Sequence, residues 1–348
     1  MNLKQFLDGY SLPLILDGGM ATQLEKIYNK DLYKTNLWSS IYLYQDPDSI
    51  KKSHLDYLKA GADIISTCSY QAFLDGFIKQ GFTEQQSVGI IQKSVDIAVN
   101  ARDIFWKEYQ NQIISNSKNP HTNNKNKSRI KPLIALSMGP YGAILCDGSE
   151  YKGDYVDQTA TREQIESFHK NQLNLFKDKF NKIDLIAFET IPSLVEAKII
   201  CEVIMKEHID MMCWISFSCR NEEQICHGES FLESFMEICK YDFVIGVGVN
   251  CTNPKFINSL IDNLRNKAKK NSLEYEKKWI VCYPDGGNSW DEGKHKWSEN
   301  TGLKIKEFVN LAKSWIEKCE NRIILGGCCN TTPEHISSMR KVIFEDYI

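Results

Sequence analysis

The sequence has little net charge and no long apolar stretch. Its 348 residues carry a formal net charge of -3, so a basic field that would attract nucleic acid or an anionic membrane is not expected. No apolar run approaches the roughly 20 residues that span a bilayer, and the first residues lack the apolar core of a signal peptide. These absences predict a cytoplasmic protein without nucleic-acid or membrane partners, and they leave the oligomeric state open.

Histidine is scarce, whereas cysteine is not. The chain has 7 histidines and 12 cysteines. In a reducing compartment, cysteines are expected to be free thiols or metal ligands rather than disulfides, and most of them to be small buried side chains. We assign nine to packing or to the surface: Cys68, Cys146, Cys201, Cys213, Cys219, Cys226, Cys239, Cys282 and Cys319.

Short apolar runs alternate with amphipathic segments along the chain. The predicted strands cover residues 14–16, 63–66, 133–136, 184–188, 213–217, 243–249, 279–283 and 322–325. The helical patterns between them include residues 47–60, 84–109, 161–180 and 303–317. Continuous apolar strands separated by helices indicate a parallel sheet covered by helices. Eight such units predict a single (β/α)₈ TIM barrel, with a doubly wound open sheet as the alternative.

One polar segment interrupts this pattern. Residues 113–131 end in an Asn/Lys-rich stretch without apolar periodicity, which is typical of a disordered surface loop. Because the alternation of strands and helices continues beyond it, we interpret the segment as an insertion within one domain that spans residues 1–348.

In a barrel of this kind, the active site lies at the C-terminal ends of the strands. The residues that follow the predicted strands are rich in glycine, thiol and polar side chains. They are residues 17–19, 67–70, 139–142, 189–190, 218–219, 250–252, 284–287 and 326–329. The sequence therefore predicts a functional rim at this end.

Three cysteines fall at the tips of two of these strands. Cys251 follows the sixth strand, and Cys328 and Cys329 follow the eighth. Three thiolates suit zinc, which prefers sulfur and nitrogen ligands and keeps a fourth position open when the protein supplies three. No histidine occurs at a predicted strand tip. From spacing alone, burial of Cys251 and a strained disulfide between the vicinal pair remain alternatives.

A series of motifs resembles the homocysteine S-methyltransferase family. The matching pieces run in order along nearly the whole chain: LDGGMAT (16–22), LWS (37–39), HLDY (54–57), AGAD (60–63), SYQA (69–72), GPYGA (139–143), DGSEY (147–151), GDY (153–155), FET (188–190), GVNCT (248–252) and GGCC (326–329). The pieces at 139–143 and 147–155 resemble the branch that uses S-methylmethionine or S-adenosylmethionine rather than betaine.

The resemblance implies a zinc-dependent methyl transfer from a sulfonium donor to the thiol of L-homocysteine, giving methionine. It implies that Cys251, Cys328 and Cys329 hold the zinc. Zinc would deprotonate the substrate thiol, whose thiolate is the nucleophile. Selenocysteine or another thiol is a second possible acceptor. Two competing hypotheses are a zinc hydrolase on the same barrel and a non-catalytic zinc- or thiol-binding protein.

The resemblance also implies roles for residues at the strand tips. Asp17 and Glu189 are expected to bind the homocysteine ammonium group, and Gly18 and Gly19 to offer backbone amides to its carboxylate. Thr67 is a further candidate for contact with the amino acid, and Asn250 for support of the metal site. Aromatic faces suit a sulfonium donor, and the candidates are Tyr141, Tyr151, Tyr155 and Trp290.

Two residues depart from the family pattern close to this site. Asn330 stands where relatives commonly carry arginine, and Asp285 stands where asparagine is common. Neither departure removes a predicted zinc ligand. They leave open how tightly the protein binds its methyl donor and how wide a range of substrates it accepts.

Overall fold

Eight parallel strands form a barrel in the computed structural model, which describes residues 3–32, 35–117, 129–271, 278–291, 296–298 and 301–345. The barrel strands are β1 (Leu14–Ile15), β2 (Ile64–Ser66), β3 (Leu133–Met138), β4 (Leu185–Ile191), β5 (Cys213–Phe217), β6 (Val244–Asn250), β7 (Trp279–Tyr283) and β10 (Ile323–Leu325). A small antiparallel hairpin, β8 (Trp290–Asp291) with β9 (Lys296–Trp297), follows β7. The predicted (β/α)₈ architecture is confirmed.

The strand order closes the sheet on itself. Neighbouring strands run in the order β1-β10-β7-β6-β5-β4-β3-β2. A parallel bridge between Leu16 and Ile64 then joins the two ends of this series. Because all strands are parallel, their C-terminal ends lie at the same rim of the barrel.

Helices cover the barrel, and the first of them contributes Leu7 to the apolar cluster in the barrel interior. They are α1 (Leu3–Gly9), α2 (Met20–Lys26), α3 (Tyr42–Gln45), α4 (Pro47–Ala60), α5 (Leu74–Lys79), α6 (Glu84–Ser117), α7 (Tyr155–Gln158), α8 (Arg162–Leu175), α9 (Leu194–Lys206), α10 (Phe231–Ile238), α11 (Pro254–Asn271), α12 (Ile305–Lys318) and α13 (Pro333–Glu345). Within the described ranges, no helix combines the length and apolar character that crossing a membrane requires.

Local sequence explains where several helices begin and end. In α4, the Asp46 side chain accepts a hydrogen bond from the Ser49 amide at 3.2 Å, and Pro47 occupies the first turn. Gly61 ends this helix with a φ of 118°, a left-handed conformation that glycine adopts readily. In α8, Thr161 and Gln164 form a reciprocal capping box.

The strands bury both faces because alternate residues point to opposite sides of the sheet. One apolar cluster includes Leu185, Ala187 and Trp214 and fills the barrel. The other includes Ile186 and Phe188 and packs under the helices. By this alternation, the residue after Phe188 returns to the barrel interior, at the rim.

The predicted loop at 113–131 begins later than expected. Helix α6 continues to Ser117, so the first part of the predicted loop is helical; no glycine or proline interrupts residues 90–119. Residues 118–128 lie outside the described part of the chain. At the far end, Arg129 donates to the Leu58 carbonyl at 2.8 Å and lies 3.9 Å from Asp63, so this end is anchored to the barrel.

Candidate metal and substrate site

The structure brings Cys251, Cys328 and Cys329 together at the rim. Their sulfur atoms all lie within 4.8 Å of one another, and the Sγ atoms of Cys251 and Cys329 are 3.5 Å apart. Cys251 is 9% exposed, and the other two are partly buried. Across the part of the chain that the structure describes, this is the only cluster of three or more His, Cys, Asp or Glu side chains that could hold a metal ion.

The backbone leaves strand geometry at each of these cysteines. Cys251 has a φ of 46° directly after β6, an unusual conformation for a residue with a side chain. After β10, the amide of Cys328 donates to the Pro284 carbonyl at 2.8 Å. A Cβ at Gly327 would stand 2.3 Å from the Thr331 Oγ1, so glycine is required where the chain turns into the cysteine pair.

The thiols interact strongly with one another. Hydrogen bonds from Cys251 and Cys328 lower the pKa of Cys329 well below its ordinary value. The same interactions, together with burial, raise the pKa of Cys328. A cluster in which two thiols stabilise a third as its anion has the chemistry of a sulfur site for a metal ion.

Asp17, two residues after the end of β1, and Glu189, within β4, lie at the same rim. Asp17 is 4% exposed and accepts a hydrogen bond from the Ser66 amide at 2.8 Å. Burial raises the pKa of Asp17 well above its usual range, and the charge of Glu189 adds to this effect. Burial also raises the pKa of Glu189 to about 7. Two carboxyl groups close enough to influence each other suit a single cation between them.

A ring of hydroxyl groups inside the barrel supports Glu189. Its carboxylate accepts hydrogen bonds from Ser137 and, at 3.0 Å, from Tyr283. The Tyr283 hydroxyl is in turn 2.6 Å from that of Ser216. The sequence analysis missed these residues. The signal was available, since Ser137 and Ser216 stand two positions after the inward-facing Ala135 and Trp214.

Two other predicted site residues, Asn250 and Thr67, form hydrogen bonds with backbone amides of other strands. The Asn250 side chain accepts from the Thr190 amide at 2.7 Å and donates to its hydroxyl at 2.8 Å. Thr190 has a φ of 61° at a register shift in β4, so Asn250 holds the irregular backbone that follows Glu189. The Thr67 hydroxyl accepts from the Ser137 amide at 3.0 Å and thereby joins β3 to the tip of β2.

The two glycines after β1 differ in what their amides can bind. The Gly19 amide donates to Thr331 Oγ1 at 3.2 Å and is therefore already engaged. The Gly18 amide has no partner among the described residues. A Cβ at Gly18 would lie 2.9 Å from the Tyr57 ring, and the Tyr57 hydroxyl donates to the Gly19 carbonyl at 3.0 Å. Tyr57 therefore fixes this loop in place.

The four aromatic candidates occupy different environments. The Tyr151 hydroxyl is 3.4 Å from the Cys251 Sγ, and its side chain is 42% exposed. Tyr155 is 3% exposed and donates to the buried Glu196, so it packs beneath the rim. The rings of Tyr141 and Tyr155 are tilted by 41° with their centroids 5.6 Å apart. The Trp290 backbone lies in β8, and its side chain lies outside the described atoms.

Two more carboxyl groups border the thiols. Glu150 and Asp285 are 8% and 6% exposed, and burial raises the pKa of each to about 7. The charge of Cys251 adds to the rise in both pKa values. The sequence analysis named Asp285 as a departure and did not single out Glu150. Asn330, the other departure, accepts from Lys26 at 3.3 Å.

The nine remaining cysteines take the packing roles expected of them. Eight are buried, and Cys146 is partly exposed. Burial raises the pKa of Cys68 to about 12 and that of Cys226 to about 11. Thiols in such surroundings stay protonated and unreactive.

Comparison with known proteins gives matches over nearly the whole chain. The family model described as homocysteine S-methyltransferase matches residues 14–343. "Homocysteine S-methyltransferase 2" of Zea mays is 37% identical over 341 residues, which are 98% of this chain and 93% of the relative. "Selenocysteine methyltransferase" of Astragalus bisulcatus is 35% identical, covering 98% and 95% of the two chains. The metallated form of the homocysteine methyltransferase MmuM from Escherichia coli superposes with a TM-score of 0.74 at 29% identity, covering 98% of this chain and 99% of that one.

Proposed function

Because this chain belongs to the homocysteine S-methyltransferase family, we propose that it transfers a methyl group from a sulfonium donor to L-homocysteine at a zinc ion held by Cys251, Cys328 and Cys329. The donor is S-methylmethionine or S-adenosylmethionine, and the product is methionine. The observation that carries the proposal is the convergence of the three sulfur atoms within 4.8 Å.

The thiol cluster fits zinc. Tetrahedral zinc with Zn–S bonds of about 2.3 Å places its sulfur ligands about 3.8 Å apart. The Cys251 and Cys329 sulfur atoms are 3.5 Å apart, and all three sulfur atoms lie within 4.8 Å of one another, which is compatible with that value. A bound zinc would lower the pKa of the homocysteine thiol and fix its sulfur at the fourth ligand position.

Residues of the barrel rim orient the acceptor. Asp17 and Glu189 bind the homocysteine ammonium, since both carboxylates face the same end of the barrel interior. Ser137 and Tyr283 hold the Glu189 carboxylate in place. The amide of Gly18 is free to bind the substrate carboxylate. These contacts fix the amino acid at one end while its sulfur lies at the thiol cluster.

The transfer itself then requires alignment. The bond between the methyl carbon and the donor sulfur breaks, and its electron pair stays on that sulfur. A lone pair on the homocysteine sulfur forms the new bond, and the thiol proton goes to solvent. Tyr151, beside Cys251 at 3.4 Å, offers an aromatic face to the positively charged donor.

Selenocysteine is a second candidate acceptor. A relative named selenocysteine methyltransferase is 35% identical over nearly the whole chain, and a selenolate suits the same metal. The two competing hypotheses, a zinc hydrolase and a non-catalytic zinc- or thiol-binding protein, lose support because the chain belongs to a family of methyltransferases.

The test is a transfer assay on the zinc-loaded protein. Homocysteine labelled in its carbon chain is incubated with each sulfonium donor, and labelled methionine is measured by mass spectrometry. Metal-stripped protein is the control, and selenocysteine is run as a competing acceptor. Labelled methionine from at least one donor supports the proposal. None from either donor, with one zinc per chain, refutes it.

A further inference from the structure

One carboxyl group at the rim has an oxygen atom without a hydrogen-bond partner among the described residues. Glu150 lies in a short turn, Ser149–Tyr151, that follows β3. It is 8% exposed, and its Oε2 atom is buried without a hydrogen bond to any part of the described chain. By contrast, Asp17 and Glu189 both accept hydrogen bonds from neighbouring strands.

The turn holds Glu150 rigidly next to the thiol cluster. Ser218 donates to the Glu150 carbonyl at 3.2 Å, and a Cβ at Gly142 would stand 2.8 Å from the Glu150 amide nitrogen. The next residue, Tyr151, reaches Cys251 at 3.4 Å. These contacts fix the backbone of Glu150 beside Tyr151 and the thiol cluster.

Leaving an acceptor buried and unpaired is unfavourable, by about 1–3 kcal/mol or more for a charged group. No lysine or arginine within the described ranges forms an ion pair with Glu150, Asp17, Glu189 or Asp285. The buried hydroxyl of Tyr70 lies near Glu150 and likewise makes no well-formed hydrogen bond. A ligand bound at the rim can supply the hydrogen-bond donor that the Oε2 atom of Glu150 lacks.

We propose that Glu150 binds the α-ammonium group of the methyl donor and so selects donors that are amino acids. The inference rests on the proposed function. The sulfonium of S-methylmethionine has no N–H or O–H to donate, whereas its ammonium has three N–H groups, so in this donor only the ammonium satisfies Oε2. The acceptor's ammonium already has a site between Asp17 and Glu189. Glu150 is a separate carboxylate on a different rim loop, on the side of the cluster where Tyr151 is exposed.

The test compares two donors in the zinc-loaded enzyme. One is S-methylmethionine, and the other is its des-amino analogue, which keeps the sulfonium and carboxylate but lacks the ammonium. The analogue is measured as an inhibitor of S-methylmethionine turnover, so it need not itself react. The variant Glu150→Gln keeps the shape and removes the charge. Asp147→Asn removes a charge from an exposed position of the same loop and is the matched control.

A charge-assisted hydrogen bond is worth about 1.5–3 kcal/mol, or about 10- to 100-fold in affinity. Wild-type protein should bind S-methylmethionine more tightly than the analogue by this factor. Glu150→Gln should lower kcat/KM for S-methylmethionine by the same factor, with the inhibition constant of the analogue and the KM for homocysteine unchanged. Asp147→Asn should behave as wild type.

Several results would overturn the inference. Equal affinities of wild-type protein for the two sulfoniums would do so whether or not the variant folds. If Glu150→Gln lost affinity for S-methylmethionine and for the des-amino analogue to the same extent, the role of Glu150 would be purely structural. A change confined to the KM for homocysteine would place Glu150 on the acceptor side. Wild-type protein without methyl transfer from any sulfonium would instead remove the proposed function and this inference together.

Discussion

Replacement of Asn250 by alanine is expected to damage both the stability of the fold and the binding of homocysteine. Asn250 is 1% exposed and Thr190 is 3% exposed. The two residues share hydrogen bonds of 2.7 Å and 2.8 Å. In Asn250→Ala, the Thr190 amide and hydroxyl stay buried without these partners. Each lost hydrogen bond costs about 1–3 kcal/mol, so the free energy of unfolding should fall by about 2–6 kcal/mol.

The same change should release Glu189, because Thr190 directly follows it. Thr190 has a φ of 61°, which is strained for a β-branched residue and persists only where its surroundings enforce it. When the strand relaxes, Glu189 moves away from Ser137 and Tyr283. A loss of about 1.4 kcal/mol in ammonium binding raises the KM for homocysteine about tenfold, while the donor KM changes less.

The measurements are urea denaturation and steady-state kinetics with each substrate varied in turn. Asn258→Ala is the matched control, since the Asn258 side chain accepts a single long hydrogen bond of 3.3 Å from Ser314 and its loss should cost less than about 1 kcal/mol. The reasoning fails if Asn250→Ala unfolds within about 0.5 kcal/mol of wild type and keeps its KM for homocysteine.

Three further changes test other parts of the structure. Elemental analysis should find the proposed one metal ion per chain in the wild type and in Cys146→Ser, but not in Cys328→Ala. A full metal content in Cys328→Ala would contradict the proposed ligand set. Because burial raises the pKa of Glu189 to about 7 and ammonium binding needs the carboxylate, kcat/KM for homocysteine should rise with pH through about 7, and Glu189→Gln should remove that rise. Asp63→Ala removes the partner of Arg340, at 2.7 Å, and of the Ile15 amide, at 3.1 Å. Thermal denaturation should show that the free energy of unfolding falls by about 3–5 kcal/mol. In the control Asp48→Ala, which removes an exposed ion pair with Lys51, the fall should be less than about 1 kcal/mol.

The sequence was sufficient to predict the barrel and the thiol cluster, because both depend on short-range patterns. Each strand is a run of apolar residues, and parallel strands must place their ends at one rim. Cys251 directly follows β6, and the Cys328–Cys329 pair stands two glycines after β10, so the pattern placed them near one another, whereas the resemblance supplied their role as metal ligands. What brings them within reach of one metal ion is the positive φ at Cys251 and the close approach of Gly327 to Thr331.

The supporting contacts could not be predicted in the same way, because they depend on strand register and loop conformation. That Asn250 bonds to Thr190 follows from the irregularity in β4, which the apolar pattern does not encode. That Tyr155 faces Glu196 rather than the rim follows from the short turns between β3 and α7. The end of α6 was placed too early, since a polar composition alone does not stop a helix that contains no glycine or proline.

The distribution of charge at the rim favours two cationic ligands over any anion. Glu150, Glu189 and Asp285 lie close enough to Cys251 to be affected by its charge, Asp17 lies close to Glu189, and burial raises the pKa of each of the four carboxyls. With three of these pKa values near 7, the carboxyl groups reduce the repulsion of negative charge by taking up protons. An ammonium group offers the same hydrogen bonds together with a full positive charge, so it displaces those protons on binding. The near-neutral charge of the whole chain conceals this local excess of acid, which suits the proposed reaction between two ammonium-bearing substrates, one of which is also a sulfonium.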